Sequence, residues 1–272
     1  LPSAFRPAEE KKDGLLKRYL ISIQHQYRHI YTDWIKWVEA PQGFSNDQVG
    51  QTARKVLAHA ALIRDFVLLA HSAKHRVFVP EVLWHLYNPK KPELHTLFNG
   101  ITEIIDPIFA IAQHHGVPTG LLDWTYNPLI AAYFAAENPH PHSSDIAVWA
   151  LRENIVEPDM YLRRLTVPSQ VIPFLDAQEG LFTWFPKAYL IHLELNRFPT
   201  VEEMVHLTAR EVPLSAKAGP LLLKLTLPIR EAVKLLQLLW REKVSPAHLM
   251  PTFDNVTQGL RMQSKLLPNL YE

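Results

Sequence analysis

The chain has no cysteine among its 272 residues. Disulfides, thiolate nucleophiles and cysteine-ligated zinc are therefore excluded, and the composition is in keeping with a cytoplasmic setting. Glycine is scarce, 9 residues against 22 prolines. Neither Gly-x-Gly-x-x-Gly nor a P-loop occurs, which argues against a Rossmann or P-loop nucleotide site. His-Glu-x-x-His and Gly-x-Ser-x-Gly are also missing, so the common zinc-hydrolase and serine-hydrolase signatures are absent. Neither sign of charge predominates: 28 Lys+Arg stand against 27 Asp+Glu, for a net charge of +1. That balance gives no warrant for general nucleic-acid or membrane binding and leaves only a local basic patch open. No apolar run approaches the roughly 18 to 20 residues of a membrane span. The longest candidate, 53–70, is interrupted by Arg54, Lys55, His59, Arg64 and Asp65. No signal peptide opens the chain. It starts at Leu1 without a Met and reads like the interior of a longer sequence.

What is present is globular in composition, 47% hydrophobic and 20% charged, and long enough for one large core or a core with a subdomain. Residues 1–110 read as mostly helical. Leu15, Leu16, Tyr19, Leu20 and Ile23 recur at helical spacing, and so do Val56, Leu57, Ala60, Ile63 and Val67. Residues 41–47 have turn composition, with Ser45 or Asn46 as the cap of the next helix. Pro89 and Pro92 mark a break, and Asn99-Gly100 precedes a helical stretch over Ile101–His114, with a kink or restart at Asp106-Pro107. From about residue 117 the character changes. Asn127-Pro128 predicts a helix start, Asn as cap and Pro at the first position. A loop follows over 138–144, then strand-like runs at Ile146–Leu151, Ala188–Leu195 and Leu221–Leu227. Helical segments over Pro228–Glu242 and from Ser245-Pro246 complete the chain. The fold class expected is α+β: a helical N-terminal part, 1–110, followed by a motif-bearing part, 111–272, with a small mixed sheet carrying helices, one domain overall.

One segment carries chemical information. Gln113-His114-His115-Gly116-Val117-Pro118-Thr119-Gly120-Leu121-Leu122-Asp123-Trp124-Thr125 sets two imidazoles, a glycine, hydroxyls and an Asp-Trp pair in one connection between helices. His-His-Gly suits a helix end, with Gly116 in the left-handed position and the imidazoles near the negative end of the dipole. Leu121-Leu122 calls for burial, and Asp123 beside it needs partners if it is buried too. The bland alternative stands next to this: His114 caps a carbonyl, Asp123 serves the next turn and Trp124 belongs to the core. A metal site is not expected, because His114 and His115 are neighbours pointing apart and no third ligand stands at a suitable spacing.

The same residues resemble the FRG domain family. Its pattern Gln-His-x-Gly-x-Pro-Thr-Arg-Leu-Leu-Asp-Trp-Thr, then Asn-Pro, then Ala-x-x-Phe-Ala, reads here as residues 113–125, Asn127-Pro128 and Ala131–Ala135. Ala177-Gln178-Glu179-Gly180-Leu181-Phe182-Thr183 looks like the family's later Gln-x-Gly-x-Phe-Thr segment. Leu249–Asp254 resembles its closing Leu-Phe-Pro-Asp, and Leu1–Arg6 the stretch after the name-giving Phe-Arg-Gly. Two departures stand out: Phe-Arg-Gly itself is missing, and Gly120 replaces the usual Arg.

The resemblance implies a fold and site similar to ADP-ribosyltransferases, and with them a toxin or phage-defence setting. NAD is then a substrate, with no resident cofactor. On that analogy Gln113, His114, Thr119, Asp123, Trp124, Thr125 and Tyr133 form the nucleotide side. Thr119 and Thr125 supply hydroxyls, and the ring of Trp124 or Tyr133 stacks on nicotinamide. Gln178 and Glu179 are the catalytic pair, since cleavage of the glycosidic bond develops oxocarbenium charge that a carboxylate stabilises; the residues alone equally suit a turn before a strand with Glu179 solvated. The competing class is a non-catalytic module for a protein or nucleic-acid partner, using Trp34, Trp37 and Phe44 near Lys36, and the His71–His85 stretch with Lys74 and Arg76.

Overall fold

The computed structural model describes residues 45–75, 107–139, 143–156, 162–165, 167, 172, 174–211 and 219–266. The helix expected over 15–23, the break at Pro89 and Pro92, the stretch 101–106, the aromatic set Trp34, Trp37 and Phe44, and the basic residue Arg76 lie outside these residues. In chain order the described elements are α1 (Asn46–Ser72), α2 (Pro107–His114), β1 (Leu122–Thr125), α3 (Pro128–Glu137), β2 (Asp145–Leu151), β3 (Arg163–Leu165), β4 (Gly180–Trp184), α4 (Ala188–Leu195), α5 (Val201–Glu211), β5 (Leu222–Pro228), α6 (Ala232–Arg241), α7 (Pro246–Leu249) and α8 (Phe253–Leu266). Short 3₁₀ turns at Glu153–Ile155 and Ile229–Glu231 follow β2 and β5. The class is α+β. Among the described helices none is long and apolar enough to cross a membrane.

Local chemistry explains most boundaries. Ser45, not Asn46, caps α1: its hydroxyl accepts from the Gln48 amide at 3.3 Å while Gln48 Oε1 accepts from Ser45 N at 3.0 Å. The first four amides of a helix lack internal partners, and this reciprocal box satisfies two donors at that end. Val56, Ile63 and Val67 of the helical pattern are buried. The restart at Pro107 is where α2 begins. Its other end closes as the glycine suggests: Gly116 takes φ +83°, with Gly116 N on Gln113 O at 2.9 Å and Val117 N on Ala112 O at 2.8 Å. These are the paired bonds of a Schellman turn.

One sequence expectation is overturned. Ala188–Leu195, read as a strand, is helix α4. Ala188, Tyr189, His192 and Leu193 are buried while Leu190, Glu194 and Leu195 are exposed, a spacing that suits 3.6 residues per turn and not a period of two. A short apolar run does not by itself separate helix from strand. Only Ile191 of the eight residues is β-branched, and Asn196 stops the helix in the left-handed conformation at φ +52°. The strands expected at 146–151 and 221–227 form β2 and β5, paired antiparallel from Asp145↔Pro228 to Leu151↔Leu222. Strands β1, β3 and β4 make a three-stranded sheet in the order β1-β4-β3.

The chain divides into two compact units, one of Leu1–Leu122, Val156–Leu165 and Thr183–Glu211, the other of Asp123–Ile155, Thr166–Phe182 and Val212–Glu272. In the first unit α1 packs on α2 and α4, and a buried polar seam runs between α1 and α4. Thr52 Oγ1 meets His192 Nδ1 at 2.9 Å, and His59 Nδ1 meets the Tyr189 hydroxyl. Lys55 Nζ stands 5.1 Å from the centroid of the Phe198 ring, which lies 4.6 Å from His192. Burial, then the Lys55 charge, pushes His192 down to about 4; burial also raises the Tyr189 hydroxyl and lowers Lys55.

The second unit has its own core. Ile130, Tyr133 and Ala136 of α3, Ile146 of β2, Ala232, Leu236 and Leu239 of α6, and Val244, Leu249 and Leu266 pack together. Strand β2 of the two-stranded β2–β5 sheet lies against α3, and α6 contacts both α3 and α8. Burial on this scale stabilises each large side chain by about 1.5–3 kcal/mol before conformational entropy is set against it.

Candidate functional site

The nominated residues fall into two groups, one in each unit. In the first unit Gln113 and His114 sit in the last turn of α2 and Thr119 in the connection after it. Thr119 is almost fully buried. Its hydroxyl donates to Gln113 Oε1 and accepts from Leu121 N at 3.2 Å. Thr119 and Gln113 therefore lock the connection to the helix it leaves. His114 is half-buried, and burial, then the neighbouring His115, lowers its proton affinity. The two rings stand edge to face with centroids 5.3 Å apart, and His115 lies over Phe66 at 6.5 Å.

The second group is held by the β1–α3 connection. Asp123 is exposed and Trp124 half-buried. Thr125 Oγ1 donates to Gln178 O at 2.7 Å and accepts from Asn127 N at 3.0 Å. Tyr126 N donates to Glu179 O at 3.0 Å, and Asn127 Nδ2 donates to Glu179 Oε1 at 2.9 Å. The late Gln-Glu bend and the threonine end of the long motif, 53 residues apart, are thus in direct contact within one unit. Exposed Tyr126 reaches Glu153 Oε1 with its hydroxyl at 3.2 Å.

The bend has a defined shape. Gly180 N donates to Leu175 O at 2.8 Å and Glu179 N to Asp176 O at 3.0 Å, with Glu179 left-handed at φ +45°. A non-glycine residue there costs about 1–2 kcal/mol. A Cβ added at Gly180 would stand 2.7 Å from Leu175 Cδ1, so the leucine side chain would have to shift to admit it. Gln178 Nε2 reaches Leu249 O at 3.4 Å, so the bend also touches the start of the Leu249–Asp254 motif. Lys74 and Lys243 take the same left-handed step after helices. The Glu179 conformation is therefore not distinctive alone; its bound, solvent-exposed carboxylate is.

Tyr133 differs from its expected role. Its ring is fully buried in the second unit's core, and its hydroxyl donates to Glu137 Oε1 at 2.8 Å. Burial, then the bond to Glu137, raises this hydroxyl well above the ordinary tyrosine range. The period of α3 turns residues 130, 133 and 136 inward together, so a stacking face is not presented. Thr125 likewise has its hydroxyl committed to the bend. The sequence marks Asn127 only as a helix cap; its Oδ1 does accept from Leu129 N at 3.0 Å, but its other amide atom holds the carboxylate. The Asn-Pro pair signalled the cap, and nothing local signalled the partner 52 residues away. Among the described residues no group of three or more His, Asp or Glu side chains is placed to hold a metal ion.

Comparison with known proteins gives one family. Residues 57–144 match the FRG domain, so the kinship that the motif implied is shown over this segment, which contains the whole Gln113–Thr125 connection and all of α3. No curated protein and no solved structure matches the chain.

Proposed function

We propose that this FRG-domain protein consumes NAD, cleaving the bond between nicotinamide and ribose and passing ADP-ribose to an acceptor or to water. In that reaction the C1′–N bond breaks and nicotinamide leaves with the bonding electron pair. The acceptor's oxygen or nitrogen bonds to C1′ and gives up its proton. Positive charge grows on the ribose as the bond lengthens, and an anion fixed nearby lowers the barrier. Glu179 takes that role, as the anion beside C1′ and the acceptor for the released proton. Gln178 shapes the bend behind it, and Asp123 and Trp124, exposed or half-exposed on the strand before Thr125, are offered to the nucleotide. In the other unit, Gln113 and Thr119 lock the end of α2 to the residues that follow it.

The observation that carries this reading is the exposed Glu179 carboxylate hydrogen-bonded to the Asn127 side chain of the long motif. The test is nicotinamide release from NAD, measured by chromatography, for the wild type and Glu179→Gln. Loss of about 100-fold or more in rate is expected in a folded variant, the scale on which one transition-state electrostatic contact acts. Equal rates in the two proteins would remove Glu179 and the reading with it.

A further inference from the structure

We infer that Asn127 is a positioning residue for Glu179, and this rests on the NAD-cleaving reading above. Every polar atom that the Asn127 side chain owns is already assigned. Oδ1 accepts from Leu129 N at 3.0 Å as the cap of α3, which fixes which end of the amide is oxygen. Nδ2 is thereby the end that faces Glu179, and it donates to Oε1 at 2.9 Å. The backbone amide of the same residue is held by Thr125 Oγ1 at 3.0 Å, and Pro128 supplies the rigid first position of the helix. One side chain therefore couples the helix end to the carboxylate.

The carboxylate needs such a hold. Glu179 is exposed, and an exposed glutamate samples several rotamers unless something selects one. Its main chain is already pinned, by the left-handed turn and by Tyr126 N on its carbonyl at 3.0 Å. Its side chain has one described contact, the Asn127 amide. That bond occupies Oε1 and leaves Oε2 for the substrate. Only asparagine serves both tasks at this position. Aspartate and serine cap a helix about as well, yet neither offers a donor of the right length and charge to a carboxylate.

The experiment uses the full chain and nicotinamide release from NAD, with Asn127→Ser, Asn127→Asp, Glu179→Gln and the double variant Asn127→Ser/Glu179→Gln. Thermal unfolding of the Ser and Asp variants near the wild-type midpoint shows that the cap is kept. The expected result is a kcat lowered about 10- to 100-fold in both with KM little changed, because a misplaced group weakens the chemical step more than binding. In the Glu179→Gln background the Asn127→Ser change is expected to do nothing further, since a residue acting through Glu179 has nothing left to position. Wild-type kcat in folded Asn127→Ser and Asn127→Asp, with Glu179→Gln inactive, overturns this inference and leaves the proposed reaction standing. Losses in kcat that multiply in the double variant also overturn it, since they assign Asn127 a role independent of the carboxylate. A wild type that releases no nicotinamide ends both.

Discussion

The buried seam between α1 and α4 makes the first unit sensitive to acid in a way that can be calculated. His192 is 1% exposed, with Nδ1 on Thr52 Oγ1 at 2.9 Å and, among the described residues, no partner for Nε2. Burial and the nearby Lys55 charge lower its titration from 6.5 to about 4. The unfolded chain therefore takes up a proton at higher pH than the folded one does. The stabilisation from a neutral His192 is complete above about pH 6.5 and is lost as pH falls toward 4. Between pH 8 and pH 5 those two values give a ceiling of about 2 kcal/mol. Water around half-buried Lys55 screens part of that, so about 1 kcal/mol is the working figure. The assay is urea unfolding at pH 8 and pH 5 for the wild type and His192→Asn. Asparagine keeps a polar atom near the Nδ1 position and does not titrate. The wild type is expected to lose about 1 kcal/mol more than the variant between the two pH values, whatever constant offset the smaller side chain introduces. Parallel losses in the two proteins would refute the argument, because the seam would then carry no proton linkage at this ring.

Two further outcomes follow from single positions. Gly116→Ala places a Cβ with nothing within 4 Å, so its effect isolates the left-handed backbone at φ +83°; a loss of about 1 kcal/mol in urea unfolding is expected, and an unchanged midpoint would contradict the Schellman account. Tyr133→Phe removes the hydroxyl from Glu137 Oε1, which keeps Gln258 Nε2 at 3.3 Å. It should cost about 1 kcal/mol or less and leave the KM for NAD unchanged; a raised KM would return Tyr133 to the ligand.

Sequence chemistry acting over a few residues settled the local features. Ser45 with Gln48, Asn127 with Pro128, and Gly116 after two histidines each write their own cap or turn, because the bonded groups are only two to five residues apart and need no tertiary help. The α+β class and the β2 and β5 strands were legible from apolar patterning for the same reason. The Ala188–Leu195 run was not, since eight apolar-rich residues suit either period until a neighbour selects the buried face, and here α1 makes that selection through Thr52 and His59. Side-chain fates were decided only by tertiary structure: Tyr133 went to the core, and Thr125 became the joint to Gln178. The same holds for the contact between Glu179 and Asn127. No periodicity or motif spacing specifies a bond across 52 residues; it exists because the turn after Asp176 and the start of α3 are brought edge to edge by the fold of the second unit.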